Sequence, residues 1–339
     1  MNPAASKLTY YIRNLEFLSS REPARITDAS LAVVASAPGA AFLQGEPLKF
    51  NLRPLAAQPS QWTVRNWKNE TVRQGVWSGT ELVLGPLPNG YYALELAGFI
   101  GARTFAVVPD PSRRPENPGL YFAMDSAQSW LARPFTDNPR LVPNAYETVS
   151  ELARRAGLRI VRERMHWKET EAAPRIFDWK QYMSNAELLS KRGVEVLGMY
   201  HNAPTWAKRD EKAMLPSDLL ATYNFAKKAA ETFKGRMTAW EFWNEQDSTA
   251  FTAEGAWDYA AALKAASLGF KAANPEIPVA IGGYTGTDNF SYADAVMQND
   301  AGEYFDIFNI HTYDSIRDYP ELMETVRTHM KRFGIERLP

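Results

Sequence analysis

Apolar residues follow two different rhythms along this chain, and the change of rhythm divides it. Between residues 30 and 108, short β-favouring runs recur at 31–34, 48–52, 61–64, 81–84, 91–96 and 103–108. Turn residues such as Pro88-Asn89-Gly90 separate them. This spacing predicts a small Ig-like β-sandwich over residues 30–108. An earlier β-rich run, residues 8–17, has two readings. Residues 1–29 are the tail of a β domain lying upstream, or the run is an edge strand of the sheet that follows.

Prolines at 109, 111, 115 and 118 rule out regular structure and make residues 109–119 a linker. Beyond it, apolar runs alternate with amphipathic helices. Strands are expected at 120–124, 158–162, 194–200, 237–243, 278–282 and 304–311. Leu219, Tyr223, Ala226, Ala230 and Phe233 share one helical face, as do Trp257, Ala260, Leu263, Ala266 and Phe270. Gly157, Gly193, Gly235 and Gly302 sit where a left-handed helix cap would lead into the next strand. Strict β/α alternation requires a parallel sheet, in either a doubly wound fold or a (β/α)8 barrel. The last helix, expected at 319–333, is followed by residues 334–339, where a seventh strand would begin. Residues 120–339 therefore read as six β/α units, and if a barrel, one lacking its last two strands. Its open edges are expected to invite association, with no oligomeric state specified.

Composition narrows the function classes. The 339 residues are 45% hydrophobic and 23% charged with a net charge of -1, which argues against a nucleic-acid or polybasic membrane surface. There is no cysteine, so a disulfide framework, a zinc-thiolate site and a cysteine nucleophile are excluded. No run approaches the roughly 20 apolar residues of a membrane span, and residues 1–10 lack the pattern of a signal peptide. Ten tryptophans lean towards a carbohydrate binder.

In both α/β architectures chemistry gathers at the carboxyl ends of the strands. Those ends carry Asp125 and Ser126, then Arg162 with His166 and Trp167 beyond, then His201, Asn202 and Trp206. Asn244 and Glu245, Tyr284, and His311 with Tyr313 complete the series. The octet 240–247 is the most informative: an apolar strand ending in Asn-Glu among indoles. Such surroundings desolvate a carboxylic acid and favour its protonated form, and the amide can bond a hydroxyl. Arg162 could keep a carboxylate ionised or form a core ion pair. Trp167 and Trp206 are either core or stacking platforms for pyranose rings. Glu241 shares the strand parity of Glu245 and reads as a buried structural acid. His166, His201 and His311 lack a His-x-His pattern, so no metal and no cofactor is called for, and a metal-dependent barrel hydrolase ranks third.

From residue 120 to 339 the chain resembles the clan A glycoside hydrolases, which are (β/α)8 barrels. The resemblance rests on Trp-x-x-x-Asn-Glu at Trp240 to Glu245, on the second strand with Arg162 and Trp167, and on His-x-Tyr at His311 and Tyr313. Phe177-Asp178-Trp179 also matches. It implies a retaining hydrolase of β-linked oligo- or polysaccharides, with Glu245 as acid/base. Asn244, Arg162, His201, Asn202, Trp206, Trp167, Tyr284, His311 and Tyr313 would line the sugar site. It also implies export of the full-length protein. The family nucleophile ends the seventh strand, and none of Asp314, Asp318, Glu321, Glu324 or Glu336 occupies that position, so none is assigned. The second reading is accordingly a non-catalytic carbohydrate-binding protein that keeps the cleft.

Overall fold

A computed structural model describes residues 28–53, 56–58, 61–113, 123–132, 144–286 and 290–335. The run at 8–17 and most of the expected linker lie outside these residues. The chain divides into two compact units, 1–109 and 110–339.

The first unit holds β1 (Val33–Ala35), β2 (Ala41–Leu43), β3 (Leu48–Leu52), β4 (Trp62–Asn66), β5 (Thr71–Gly75), β6 (Glu81–Leu84), β7 (Gly90–Leu96) and β8 (Ala102–Val108). They form two sheets, ordered β1-β3-β6 and β2-β8-β7-β4-β5. Alternation decides which side chains go inward: Leu48, Phe50 and Leu52 from β3 meet Tyr92, Leu94 and Leu96 from β7 in one core. Phe50 packs 5.4 Å from Phe42 and 5.1 Å from Phe105, centroid to centroid. The expected strand at 31–34 is in part a helical turn, Ala29–Ala32, because the Asp28 carboxylate accepts from Ser30 N at 2.8 Å and caps it. The strands β2 and β5 escape the sequence pattern, being short or carrying mostly exposed polar residues.

The second unit is built on five parallel strands: β9 (Ala123–Asp125), β10 (Ile160–His166), β11 (Glu195–His201), β12 (Ala239–Phe242) and β13 (Val279–Ile281). They lie side by side in chain order, with Ile160 opposite both Ala123 and Glu195. The helices Ala145–Ala156, Lys180–Lys191, Leu219–Thr232 and Ala256–Ala273 alternate with them. None of the described helices is long and apolar enough to cross a membrane. Gly157, Gly193 and Gly235 have φ of 74°, 70° and 77°, the left-handed caps a side chain would strain. Gly302 instead opens a 3-10 turn, Gly302–Tyr304.

The expected sixth strand is the main departure. Residues 304–311 run beside β13 and the residues that follow it, but as isolated bridges, Ala280–Ile307 and Tyr284–Ile310, rather than as a continuous strand. His311 N donates to Tyr284 O at 2.7 Å, and a Cβ on Gly283 would lie 2.2 Å from the His311 ring. Glycine at 283 is therefore required for the segment to come this close. An open cavity of about 680 Å³ lies against the inner sheet face, lined by Asp125, Arg162, Arg164, Asn309 and His311 among others.

Strand parity splits β10 between two environments. Val161 and Met165 enter the helix-covered core, where Trp240 stacks on Phe270 at 5.2 Å, while Arg162 and Arg164 line the cavity. Glu163 is buried on the other side, accepting from Asn185 Nδ2 at 2.6 Å and Ser129 N at 3.1 Å. Burial pushes its carboxyl up to about 7, against the opposing pull of those donors. Asn185 Oδ1 is buried without a partner among the described residues, an acceptor that suits a protonated carboxyl.

The folded protein thus binds the Glu163 proton more tightly than the unfolded chain, whose carboxyl titrates near 4.5. Its stabilising contribution is complete below that pH and is lost as pH rises through 7. Glu163→Gln should remove this loss, so that its stability relative to wild type improves by about 3 kcal/mol between pH 4.5 and 8. Urea denaturation at the two pH values measures it, and a constant difference would contradict the assignment.

Candidate active site

The site is organised around a buried guanidinium. Arg162, on β10, donates from Nε to Glu241 Oε2 at 2.7 Å and from Nη2 to Glu241 Oε1 at 2.8 Å. The same Nη2 reaches Asn244 Oδ1 at 2.9 Å, and Nη1 reaches Asp125 Oδ2 at 2.9 Å. Asn309 Nδ2 adds a bond to Glu241 Oε1 at 3.0 Å, and Arg164 pairs with Asp125 from the other side. Burial opposes the charge on Arg162, but Glu241 and Asp125 outweigh it and raise its pKa above the ordinary value. Burial also works against ionised Asp125, yet Arg164 and Arg162 hold its carboxyl below the usual range.

Glu245 lies just past the end of β12 and is partly exposed. Its Oε1 is 2.9 Å from His311 Nδ1. The backbone here is strained: Trp243 has φ of 74° and Glu245 of 46°, left-handed values that cost on the order of 1–3 kcal/mol each in non-glycine residues. Packing holds them in place. Trp243 is fully buried, its Nε1 donates to Phe251 O at 2.9 Å and its backbone N to Tyr200 O at 3.0 Å. Beyond Glu245 the octet ties itself to the end of β13. Gln246 Nε2 donates to Gly282 O at 2.7 Å, and Asp247 accepts from Gly286 N at 2.7 Å.

His201 ends β11 with both ring nitrogens buried and, among the described residues, unpartnered. Burial, then the neighbouring charges of His166 and the arginines, lower its pKa to about 3, so it stays neutral at physiological pH. Its ring meets His166 edge-on at 5.1 Å, and His166 in turn lies 5.4 Å from the half-exposed Trp130. Asn202 adopts φ of 58° and spends its carbonyl on Lys168 N at 2.9 Å. Among the described residues no group of three His, Asp or Glu side chains is gathered as a metal site would need.

A family 39 glycoside hydrolase from the gut symbiont Bacteroides cellulosilyticus WH2 has a similar structure. The TM-score is 0.62, at 22% sequence identity over 80% of this chain and 56% of that one. The fold is that of a clan A glycoside hydrolase. A monomeric β-xylosidase from Caulobacter crescentus CB15 is similar at TM-score 0.50 and 15% identity, covering 65% of this chain and 50% of that one. No protein-family model matches the sequence, and no curated protein does. This chain spans about half the length of either hydrolase.

Within the clan A fold, the residues expected at the sugar site divide sharply. Arg162 is bonded to Asn244, and the next residue, Glu245, is bonded to His311. Trp167 is not a platform: it is 0% exposed, stacked on Phe225 at 4.8 Å, with Nε1 donating to Glu171 Oε2 at 2.8 Å. Trp206 packs edge-on against it at 6.0 Å and donates to Glu171 O, which turns it into the same core. Tyr284 is 3% exposed and stacks on Phe308 at 5.2 Å, so its ring also belongs to the core. Tyr313 is at the opposite extreme, 93% exposed at the rim of the cavity. Arg162 was expected to steady a nucleophile or form a core ion pair; among the described residues its carboxylates are Glu241 and Asp125.

Sequence reasoning missed Asn309 and Trp130. Asn309 had a usable signal, since it shares parity with His311 two residues on. Trp130 had none, because the half-exposed ring is recognisable only once its helix is placed against β10.

Because Glu241 is fully buried and Arg162 is the cation bonded to it, Arg162→Leu strands an uncompensated charge. The variant should lose about 3–5 kcal/mol of stability, read from its urea midpoint at pH 7. A loss under about 1 kcal/mol, the value of an exposed pair, would contradict this account.

Proposed function

We propose that this protein is a retaining glycoside hydrolase of β-linked oligo- or polysaccharides, with Glu245 as its acid/base. The observation that carries the reading is the pairing of Glu245 with His311 beside an Asn244 amide held by Arg162. In the first step Glu245 donates a proton to the departing glycosidic oxygen, and in the second it takes one from the attacking water. The bonded His311 ring holds the carboxyl in one orientation through both steps. The nucleophile belongs to a carboxylate outside the described residues, about 5.5 Å from Glu245 as a retaining mechanism requires. In this reading it ends a seventh strand that, with an eighth, closes the barrel across the open side between β9 and residues 307–311. The β-xylosidase of similar fold makes β-xylosides the first substrates to try.

A second reading is a carbohydrate-binding protein without turnover. It is favoured by one observation: Asp125 and Glu241, the inner-face carboxylates around Arg162, are both committed to arginines.

The test expresses the protein with whatever its native reading frame encodes on either side, and assays aryl β-xylosides beside Glu245→Ala. Loss of the acid/base should slow hydrolysis by about 10²–10⁴-fold for poor leaving groups and less for activated ones. Unchanged hydrolysis in the variant would sink the assignment. Calorimetric binding of xylo-oligosaccharides with no turnover by the wild type would favour the second reading.

A further inference from the structure

The carboxyl side of the sheet carries a second hollow, which shares no lining residue with the cavity over Arg162. It is open, about 590 Å³, and lies between the loops that follow β11 and β12, lined by Arg209, Asp210, Glu211, Lys212 and Glu254 among others. Two carboxylates fix the shape of these loops. Asp210 Oδ1 accepts from Lys212 N at 2.9 Å and from Ala213 N at 3.0 Å. Glu254 ties one loop to the other, accepting from Met214 N at 2.8 Å and Leu215 N at 3.2 Å.

Just past Glu254 the chain enters the helix Ala256–Ala273, whose second residue is Trp257, 63% exposed. Long side chains on a helix lean towards its N-terminus, and this indole leans onto Gly255. A Cβ on Gly255 would come within 2.6 Å of Trp257 Cζ2 and 2.7 Å of Cε2. Gly255 has φ of -77°, which any residue adopts, so it is the ring and not the backbone that excludes a side chain there. The indole thus rests on the backbone of a tied loop, one edge supported and most of its surface in water. Apolar surface rimmed by polar groups marks an interaction site. A pyranose ring suits it, because its C–H groups form an apolar face that meets the negative face of an indole while its hydroxyls point outward. The hollow offers those hydroxyls both donors and acceptors: Arg209 and Lys212 stand among Asp210, Glu211 and Glu254. Charges of both signs so close together favour a neutral polyhydroxyl ligand over an ionic one.

We propose that Trp257 and this hollow form a second carbohydrate site, separate from Glu245, which holds a neutral β-linked glycan chain on the protein surface. The class of ligand rests on the carbohydrate reading above, while the exposed platform and the hollow do not. Because β11 and β12 are parallel, both loops leave their carboxyl ends, and the glycan is held on the face where Glu245 stands.

The test follows the indole Nε1–H resonance of Trp257, identified by its absence in Trp257→Ala, as xylohexaose and then cellohexaose are added. At least one glycan should shift it saturably, and by calorimetry Trp257→Ala should weaken that binding by about tenfold or more. Gly255→Ala keeps the indole but pushes it off the backbone, and should weaken the same binding. A Trp257 resonance unmoved by millimolar amounts of either glycan overturns the proposal. So does a wild-type dimer that Trp257→Ala converts to a monomer with glycan affinity unchanged, which assigns the indole to a contact between copies. Hydrolysis of aryl β-xylosides with an unmoved Trp257 removes this site and leaves the hydrolase reading standing. A shifted Trp257 in a protein without turnover upholds the site and counts against the hydrolase instead.

Discussion

The two-point ion pair between Arg162 and Glu241 is the constraint on which the rest of the candidate site depends. A buried carboxylate and a buried guanidinium are each expensive alone, and together they are tolerable only when nearly every donor and acceptor is used. That requirement recruits Asp125 from β9, Asn244 from beyond β12 and Asn309 from the irregular sixth segment. The pair therefore does more than hold two strands. It draws successive elements of the parallel sheet to a common centre and dictates the orientation of the groups around it.

Glu245 sits one step outside this network, and the contrast is instructive. Glu241 and Glu245 share strand parity, but the left-handed backbone at Trp243 and Glu245 lifts the second carboxyl out of the charged floor and up to His311. One acid is gripped at both oxygens by a permanent cation. The other meets an imidazole through one oxygen and is partly exposed. Two glutamates four residues apart thus acquire different chemistry from a local twist of the chain. Buried aromatic packing around Trp243 supplies the rigidity that maintains it.

Much of this was legible in the pattern of residues. The alternation of apolar runs and amphipathic helices gave a parallel α/β sheet because 2-residue and 3.6-residue periodicities survive any tertiary context. The glycine caps at 157, 193 and 235 were readable because only glycine adopts that backbone cheaply. Strand-end placement put Arg162, Asn244, Glu245 and His311 among a larger set of candidates. The tryptophans were not readable in the same way. Trp167 and Trp206 follow strand ends, as a sugar platform would, but a short helix and Glu171 turn both rings inward. Indole burial depends on what lies opposite, and sequence spacing carries no record of that. Residues 304–311 looked like a strand on composition and make only two bridges, since pairing depends on the register offered by β13.

What the sequence determined by itself is the order of elements and the chemistry available at each strand end, because both follow from local periodicity and residue type. Tertiary structure alone decided which of those groups meet. The commitment of Arg162 to Glu241, its bond to the amide oxygen of Asn244 and the His311 contact to Glu245 join residues 66 to 82 positions apart. No local rule links such positions; they come together because parallel strands in register bring their carboxyl ends to one side, and buried charge tolerates no arrangement that leaves it unpaired.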